Sequence, residues 1–217
     1  MNLANKLTVL RMILVPIFVI IGYLGTLGVI TGEWLGIPMS FWLMNLIFII
    51  ASITDKLDGY IARSRNQVTT FGKFLDPLAD KILVLTALVM LVEYGKIPAW
   101  IPVIVLAREF LVSGYRLVAV EKGGKVIAAS IWGKLKTDTQ MIAIILVFMD
   151  RFNFFDFVRA TTDQAQAMAS SFQVYMTTPE LIFNGVTSVL MLVSVIATIF
   201  SGYDYLKGGK DLFKDKE

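Results

Sequence analysis

The 217-residue chain contains no cysteine and no histidine. The first absence excludes a disulfide framework and thiol chemistry. The second excludes histidine general-base catalysis, a His-ligated zinc site and the Glu-x-x-His pattern of di-iron bundles. Charge is scarce as well: 17% of the residues are charged, against 56% hydrophobic. That is too apolar for an ordinary soluble domain. Runs nearly free of charge recur along the whole length, so the sequence reads as an all-α, polytopic membrane protein. No internal repeat and no second domain are visible. The net charge of +3 is modest, and a nucleic-acid partner is not expected.

A helix needs about 20 apolar residues to cross the hydrocarbon, and six stretches qualify. They run from Leu7 to Ile30, Ser40 to Ile61, Phe74 to Tyr94, Ala99 to Val120, Ala129 to Met149 and Leu181 to Tyr203. Gly36 and Pro38, Gly72, Gly95 and Pro98, Gly123-Gly124 and Pro179 separate them. The first run is too long for a signal peptide and no small-residue cleavage site follows a short core, so it reads as a retained span. Of the 20 Lys and Arg residues, 17 fall in or next to the N-terminus, the second-to-third link, the fourth-to-fifth link and the tail. Only Lys96, Arg151 and Arg159 lie on the other side. The positive-inside rule then puts both termini in the cytoplasm of a multi-pass protein of the cell membrane. The membrane domain covers 1–206 and a charged tail covers 207–217, whose lysines can touch anionic headgroups. The external connection from Arg151 to Pro179 is aromatic at its start and polar in its middle. It reads as an ordered loop or as a short amphipathic piece on the outer surface.

The acids are placed as unusually as they are few. Asp55, Asp58, Gly59, Ala62, Arg63, Gly72, Asp76 and Asp80 form the pattern D-x2-D-G-x2-A-R-x8-G-x3-D-x3-D. Asp55 and Asp58 are three apart, Asp76 and Asp80 four apart, so each pair shares a helix face. The link from Ser64 to Lys73 is short enough to make the two helices antiparallel neighbours. Both pairs then lie near one membrane depth, on the cytoplasmic side. Ionisable groups in a membrane helix are costly and mark function by default. Four carboxylates together must share protons or bind a cation. All-oxygen donors without His or Cys favour magnesium, manganese or calcium over structural zinc. Four suit a pair of ions clamping a phosphoryl group. Gly59 and Gly72 leave room for a ligand, Ala62 keeps that face small, and Arg63 is a fork donor for phosphate.

This pattern matches the signature of the CDP-alcohol phosphotransferase family without a gap or a substitution. Three further stretches resemble the bacterial phosphatidylglycerophosphate synthases within it. They are Asn5 to Arg11, Ala107-Arg108-Glu109-Phe110 with Arg116, and Ala128 to Thr137. The resemblance covers most of the chain and is weakest from Arg151 to Pro179. It implies a six-helix membrane fold, a homodimer and one or two divalent ions, Mg2+ or Mn2+. It implies transfer of the phosphatidyl group of CDP-diacylglycerol to sn-glycerol 3-phosphate, a step of phospholipid biosynthesis that releases CMP. In the family, the residues matching Asp55, Asp58 and Asp76 are metal ligands. The one matching Asp80 is the general base and also contacts a second metal. Asp58, Gly59, Ala62, Arg63 and Gly72 would then line the site of CDP-diacylglycerol. Asn5 and Thr8 are either nucleotide contacts or polar caps at a helix start.

With no histidine present, a carboxylate is the natural base for an alcohol acceptor, and Asp80 is placed for it. An acceptor that carries phosphate needs a basic pocket. Arg108, Arg116, Lys134 and Lys136 supply it, with Glu109 orienting Arg108 and with Ser130 and Thr137 adding hydrogen bonds. Charges in the interior of a span face the bundle rather than lipid. Lys122 and Lys125 read instead as positive-inside anchors. The donor is a lipid, so an opening between helices toward the membrane is required. The metal motif does not separate glycerol 3-phosphate from inositol phosphate or another alcohol. A cation transporter using the acids as its ion site is the reading from a different class, but transport sites lie near the midplane on broken helices.

Overall fold

The computed structural model of the chain describes residues 3–64, 70–121, 131–158, 160 and 176–208. Within its helices, the side chains of residues 3–5, 56–64, 70–78, 80, 120, 121 and 208 are not among those described. The described chain is predominantly α-helical. Its helices are α1 (Leu3–Thr26), α2 (Met39–Ser64), α3 (Thr70–Glu93), α4 (Trp100–Glu121), α5 (Ile131–Phe148) and α6 (Thr178–Gly208). Each falls on one of the apolar runs. Most of the segment from Arg151 to Pro179, and residues 209–217 of the expected tail, lie outside the described residues.

Three local differences from the sequence reading have clear causes. The first helix ends at Thr26 rather than Ile30, because Gly28 takes a left-handed conformation (φ 70°) that turns the chain. The Leu24 carbonyl accepts from Val29 N at 2.9 Å and Ile30 N at 3.2 Å across that turn. Gly36 does more than break: with Leu35 it forms a two-residue turn with positive φ at both positions (56° and 71°). That turn closes a short antiparallel hairpin of β1 (Glu33–Trp34) and β2 (Ile37–Pro38). Pro179, read as a separator, sits inside the first turn of α6, where its missing N–H costs nothing. Glu180 Oε2 accepts from Thr177 N at 2.9 Å and Thr177 Oγ1 at 2.8 Å, which caps the helix three residues before the expected start.

The chain forms two compact units. The first comprises Met1–Ile97 and Ile144–Asn153. Its organiser is α1, whose inward seam is Thr8, Arg11, Val15, Phe18, Gly22 and, at the turn, Gly25. The alternating spacing of three and four keeps one face toward α2 and α3. Two glycines let the helices approach closely. A Cβ on Gly22 would lie 2.5 Å from Met90 Cε and Tyr94 Oη, and one on Gly25 would lie 2.5 Å from Ser40 Cβ. Phe18, Phe41 and Phe148 meet edge to face, with Phe148 centroids 5.8 and 6.0 Å from the other two. At the same end Lys96 is buried and donates to the carbonyls of Asp150, Arg151 and Phe152 at 2.8, 2.9 and 3.3 Å. A cation there satisfies backbone acceptors left over where α5 ends.

The second unit comprises Pro98–Ala143 and Phe154–Glu217. Here α4 packs on α6 through Val112, Tyr115, Ala119 and Tyr205. Ser188 Oγ accepts from Phe155 N at 3.0 Å and Asn184 Oδ1 from Phe157 N at 2.8 Å, which ties the segment before α6 to that helix.

Among the described residues, two helices are long and apolar enough to cross a membrane, over Lys6–Thr26 and Thr178–Lys207. A shorter apolar stretch covers Met39–Asp55. The outer face of α6 carries Ile182, Val186, Val189, Val193, Ile196 and Phe200, all exposed and spaced by three or four. Such a continuous apolar stripe suits lipid rather than water. The other helices carry charges within their length.

Candidate active site

The start of α2 meets the end of α3. Phe41 and Tyr94 rings are 4.7 Å apart, and Tyr94 Oη donates to Met44 Sδ at 3.8 Å. The two helices therefore run antiparallel, and the five residues 65–69 join their other ends. A helical ruler locates the acids. Asp58 lies fourteen residues past Met44 and Asp80 fourteen before Tyr94, both about 21 Å from that contact. Asp55 lies one turn nearer to it and Asp76 one turn farther. Asp58 and Asp80 thus lie at about the same level on neighbouring helices, with Asp55 and Asp76 one turn to either side. Of their side chains only that of Asp55 is described. Among the described residues no group of three or more acids, His or Cys converges on a metal position.

Gly59, Ala62 and Arg63 lie on the α2 backbone one to two turns beyond Asp55, and Gly72 lies in the first turn of α3. Their side-chain surroundings, with those of Asp58, Asp76, Asp80 and Asn5, lie outside the description. Thr8 is described and is buried. The α1–α2 contacts pair Gly25 with Ser40, Gly22 with Met44 and Arg11 with Asp55. Their numbers add to 65 or 66, so one antiparallel register holds along the whole seam. That register sets Thr8 level with Asp58, and Asn5 one turn farther on, near Ala62.

The same register brings in a residue that the sequence reading counted as a positive-inside charge and as the end of the Asn5 to Arg11 stretch, without a role in the site. Arg11 is fully buried (0% exposed) and forms an ion pair with Asp55, its Nη1 2.7 Å from Asp55 Oδ1. A guanidinium with no water around it has lost several kcal/mol of hydration, so it is held by partners rather than by the membrane surface. The signal was present in the sequence. Thr8 and Arg11 continue the three-four spacing of Val15, Phe18 and Gly22, so both belong to the inner face.

The basic residues expected around an acceptor are divided by the structure of the second unit. Glu109 Oε1 accepts from Arg108 Nη1 at 3.0 Å and from Lys136 Nζ. Arg108 Nη2 also donates to Ser201 Oγ at 2.5 Å. Arg108 and Lys136 are thus brought together, with Glu109 between them, on α4 and α5. Arg116 lies two turns farther along α4, where its Nη2 donates to Tyr205 Oη at 2.9 Å. Tyr205 is buried with Arg108 and Arg116 guanidinium carbons 5.8 and 5.6 Å from its ring centre, so its ring links the two arginines. Lys134 is not part of this group. It is two residues from Lys136, hence about 200° around the helix, and it is exposed while Lys136 is buried. Thr137 is also exposed, and its Oγ1 donates to Gly133 O at 3.1 Å. Ser130 lies outside the described residues. The Arg108, Glu109 and Lys136 group carries a net positive charge in a largely buried setting, which favours an anionic ligand.

The sequence profile of the CDP-alcohol phosphatidyltransferases matches residues 1–200. The chain belongs to that family. A CDP-diacylglycerol–glycerol-3-phosphate 3-phosphatidyltransferase of Bacillus subtilis is 38% identical over 98% of this chain and 97% of its own. A protein of the same description from Haemophilus influenzae is 44% identical over 66% of this chain and 73% of its own. One from Rickettsia bellii is 32% identical over 98% and 97%. Family membership and the two long apolar helices together mark this chain as a membrane protein.

Proposed function

We infer that the chain transfers the phosphatidyl group of CDP-diacylglycerol to sn-glycerol 3-phosphate, releasing phosphatidylglycerol phosphate and CMP. The observation that carries this is the near-complete alignment with relatives described by that reaction, 98% of this chain against 97% of the Bacillus subtilis protein. The unbroken acidic motif on two antiparallel helices supports it. We further propose that all six helices cross the membrane, that both termini and the acidic ends of α2 and α3 face the cytoplasm, and that the protein is a homodimer. The 17 of 20 basic residues on one side support the orientation, and the family resemblance supports the dimer.

The chemistry follows from the residues. Asp55, Asp58, Asp76 and Asp80 would hold one or two divalent ions, Mg2+ or Mn2+, for which an all-carboxylate donor set is suited. Bound there, such ions would supply positive charge to neutralise the pyrophosphate and the departing CMP. Asp80 takes the proton from the acceptor hydroxyl as its oxygen attacks the phosphatidyl phosphorus. The bond from that phosphorus to the bridging oxygen breaks, and CMP leaves. Gly59, Ala62, Arg63 and Gly72, with Asn5 and Thr8 from α1, contact the nucleotide. Arg108 and Lys136 bind the phosphate of the acceptor, with Arg116 and Ser130 as further contacts.

Purified protein with CDP-diacylglycerol, Mg2+ or Mn2+ and a panel of acceptors tests the inference by CMP release. Release with glycerol 3-phosphate alone is expected. Release only with inositol phosphate or serine would move the chain to a different acceptor, and no release with any acceptor would overturn the inference.

A further inference from the structure

We propose that Arg11 is a positioning residue for the acidic site: its buried guanidinium pairs with the Asp55 carboxylate and fixes the direction in which that carboxylate is presented to a divalent cation. The proposal rests on the reading of Asp55 as a metal ligand. Three observations carry it. Arg11 is wholly enclosed, whereas the Asp55 side chain keeps 29% of its exposure, so the pair is closed on the arginine side and open on the carboxylate side. The two charges are in direct contact, Nη1 lying 2.7 Å from Oδ1, so the guanidinium sits against the carboxylate as an ion-pair partner. Arg11 also stands in the seam of α1, in phase with Val15, Phe18 and Gly22, so its place is fixed by packing along the whole helix.

A helix-end arginine that served only to orient the protein in the membrane would extend along the surface and keep its head in water. Arg11 does the opposite. It projects from the inner face of α1 onto Asp55 of α2, one turn from the buried Thr8. A carboxylate that is both a ligand and a hydrogen-bond acceptor is the common arrangement in metal sites, where the outer partner fixes the rotamer and the direction of the free lone pairs. Loss of such a partner lowers metal affinity or activity by about 10- to 100-fold.

The test uses the full chain in detergent, as wild type, Arg11→Lys and Arg11→Gln. Mn2+ binding is read from the electron paramagnetic resonance of the free ion, so it does not depend on turnover. Half-saturation by Mn2+ and by glycerol 3-phosphate is then measured from CMP release. Both variants should bind Mn2+ about 10- to 100-fold more weakly, with half-saturation by glycerol 3-phosphate within about 2-fold of wild type, the signature of a defect confined to the metal ligands. Lysine keeps the charge but lacks the planar fork, so Arg11→Lys carries the test where Arg11→Gln does not fold. Folded variants with unchanged Mn2+ affinity would overturn the proposal. So would an equal loss in both half-saturation constants together with a lowered melting temperature, which a purely structural role predicts. If the wild type itself binds no Mn2+ and turns over in excess chelator, the metal reading of Asp55 fails, a result distinct from either of these.

Discussion

Glu109 offers the sharpest test of the basic cluster, because one carboxylate oxygen serves two cations. Arg108 Nη1 lies 3.0 Å from Oε1, and Lys136 Nζ reaches the same atom. The two nitrogens are therefore no more than about 6 Å apart, and at an effective dielectric of about 20 their mutual repulsion is roughly 3 kcal/mol. Glu109→Gln keeps the shape and removes the charge that offsets this repulsion. The side chains are largely buried, so solvent screens little of it, and a loss of about 2–3 kcal/mol is expected. The sign of the ligand effect follows. With the internal anion gone, an added phosphate takes over its electrostatic part, so phosphate should stabilise the variant more than the wild type. The assay is thermal melting in detergent, with and without inorganic phosphate or glycerol 3-phosphate. The variant should melt several degrees lower without anion, and the rise on adding phosphate should exceed that of the wild type. Turnover should fall by roughly 10- to 100-fold, because Lys136 is no longer held in place. A variant that melts like the wild type, or gains the same number of degrees from phosphate, would refute the reasoning.

Three other outcomes follow from the structure. Asp80→Asn should abolish CMP release while keeping much of the donor binding, measured by calorimetry or a filter assay with CDP-diacylglycerol; substantial remaining turnover would remove Asp80 as the base. Lys96→Met should destabilise the protein by several kcal/mol, since the carbonyls of Asp150, Arg151 and Phe152 all lose their shared donor; an unchanged denaturation midpoint would contradict this. Gly25→Ala places a methyl 2.5 Å from Ser40 Cβ, a short and rigid neighbour, and should cost about 1–3 kcal/mol; Ser40→Gly should recover most of that loss.

The helices were legible because each is a long apolar run bounded by Gly or Pro, and such runs have few alternatives to a helix. Their ends were less so. Pro179 is a breaker in the middle of a helix but is tolerated in the first turn, and only the capping bonds of Thr177 and Glu180 decide which applies. Lys96 was counted as one of three basic residues on the outer side, a tally that carries no information about its use. Its partners lie more than fifty residues on, in backbone carbonyls that no side-chain pattern announces.

The charges inside the helices explain both what was legible and what was not. Arg108, Glu109 and Lys136 lower the apolarity of α4 and α5 while building a polar group within the second unit. An apolar-run criterion and a charge criterion thus read the same residues in opposite ways, and the helices that carry most of the proposed chemistry look least like spans. Arg11 shows how the conflict is resolved. Counted by its place along the chain, it is one basic residue among 17 on the inner side. Phased against Thr8, Val15, Phe18 and Gly22, it belongs to the buried face of α1, and a buried arginine requires an anionic partner. Asp55 is that partner, on the neighbouring helix and in the same register as the glycine contacts three to four turns away. Helical phase, applied to charged residues as strictly as to apolar ones, therefore separates an arginine that orients a membrane protein from one that orders its site.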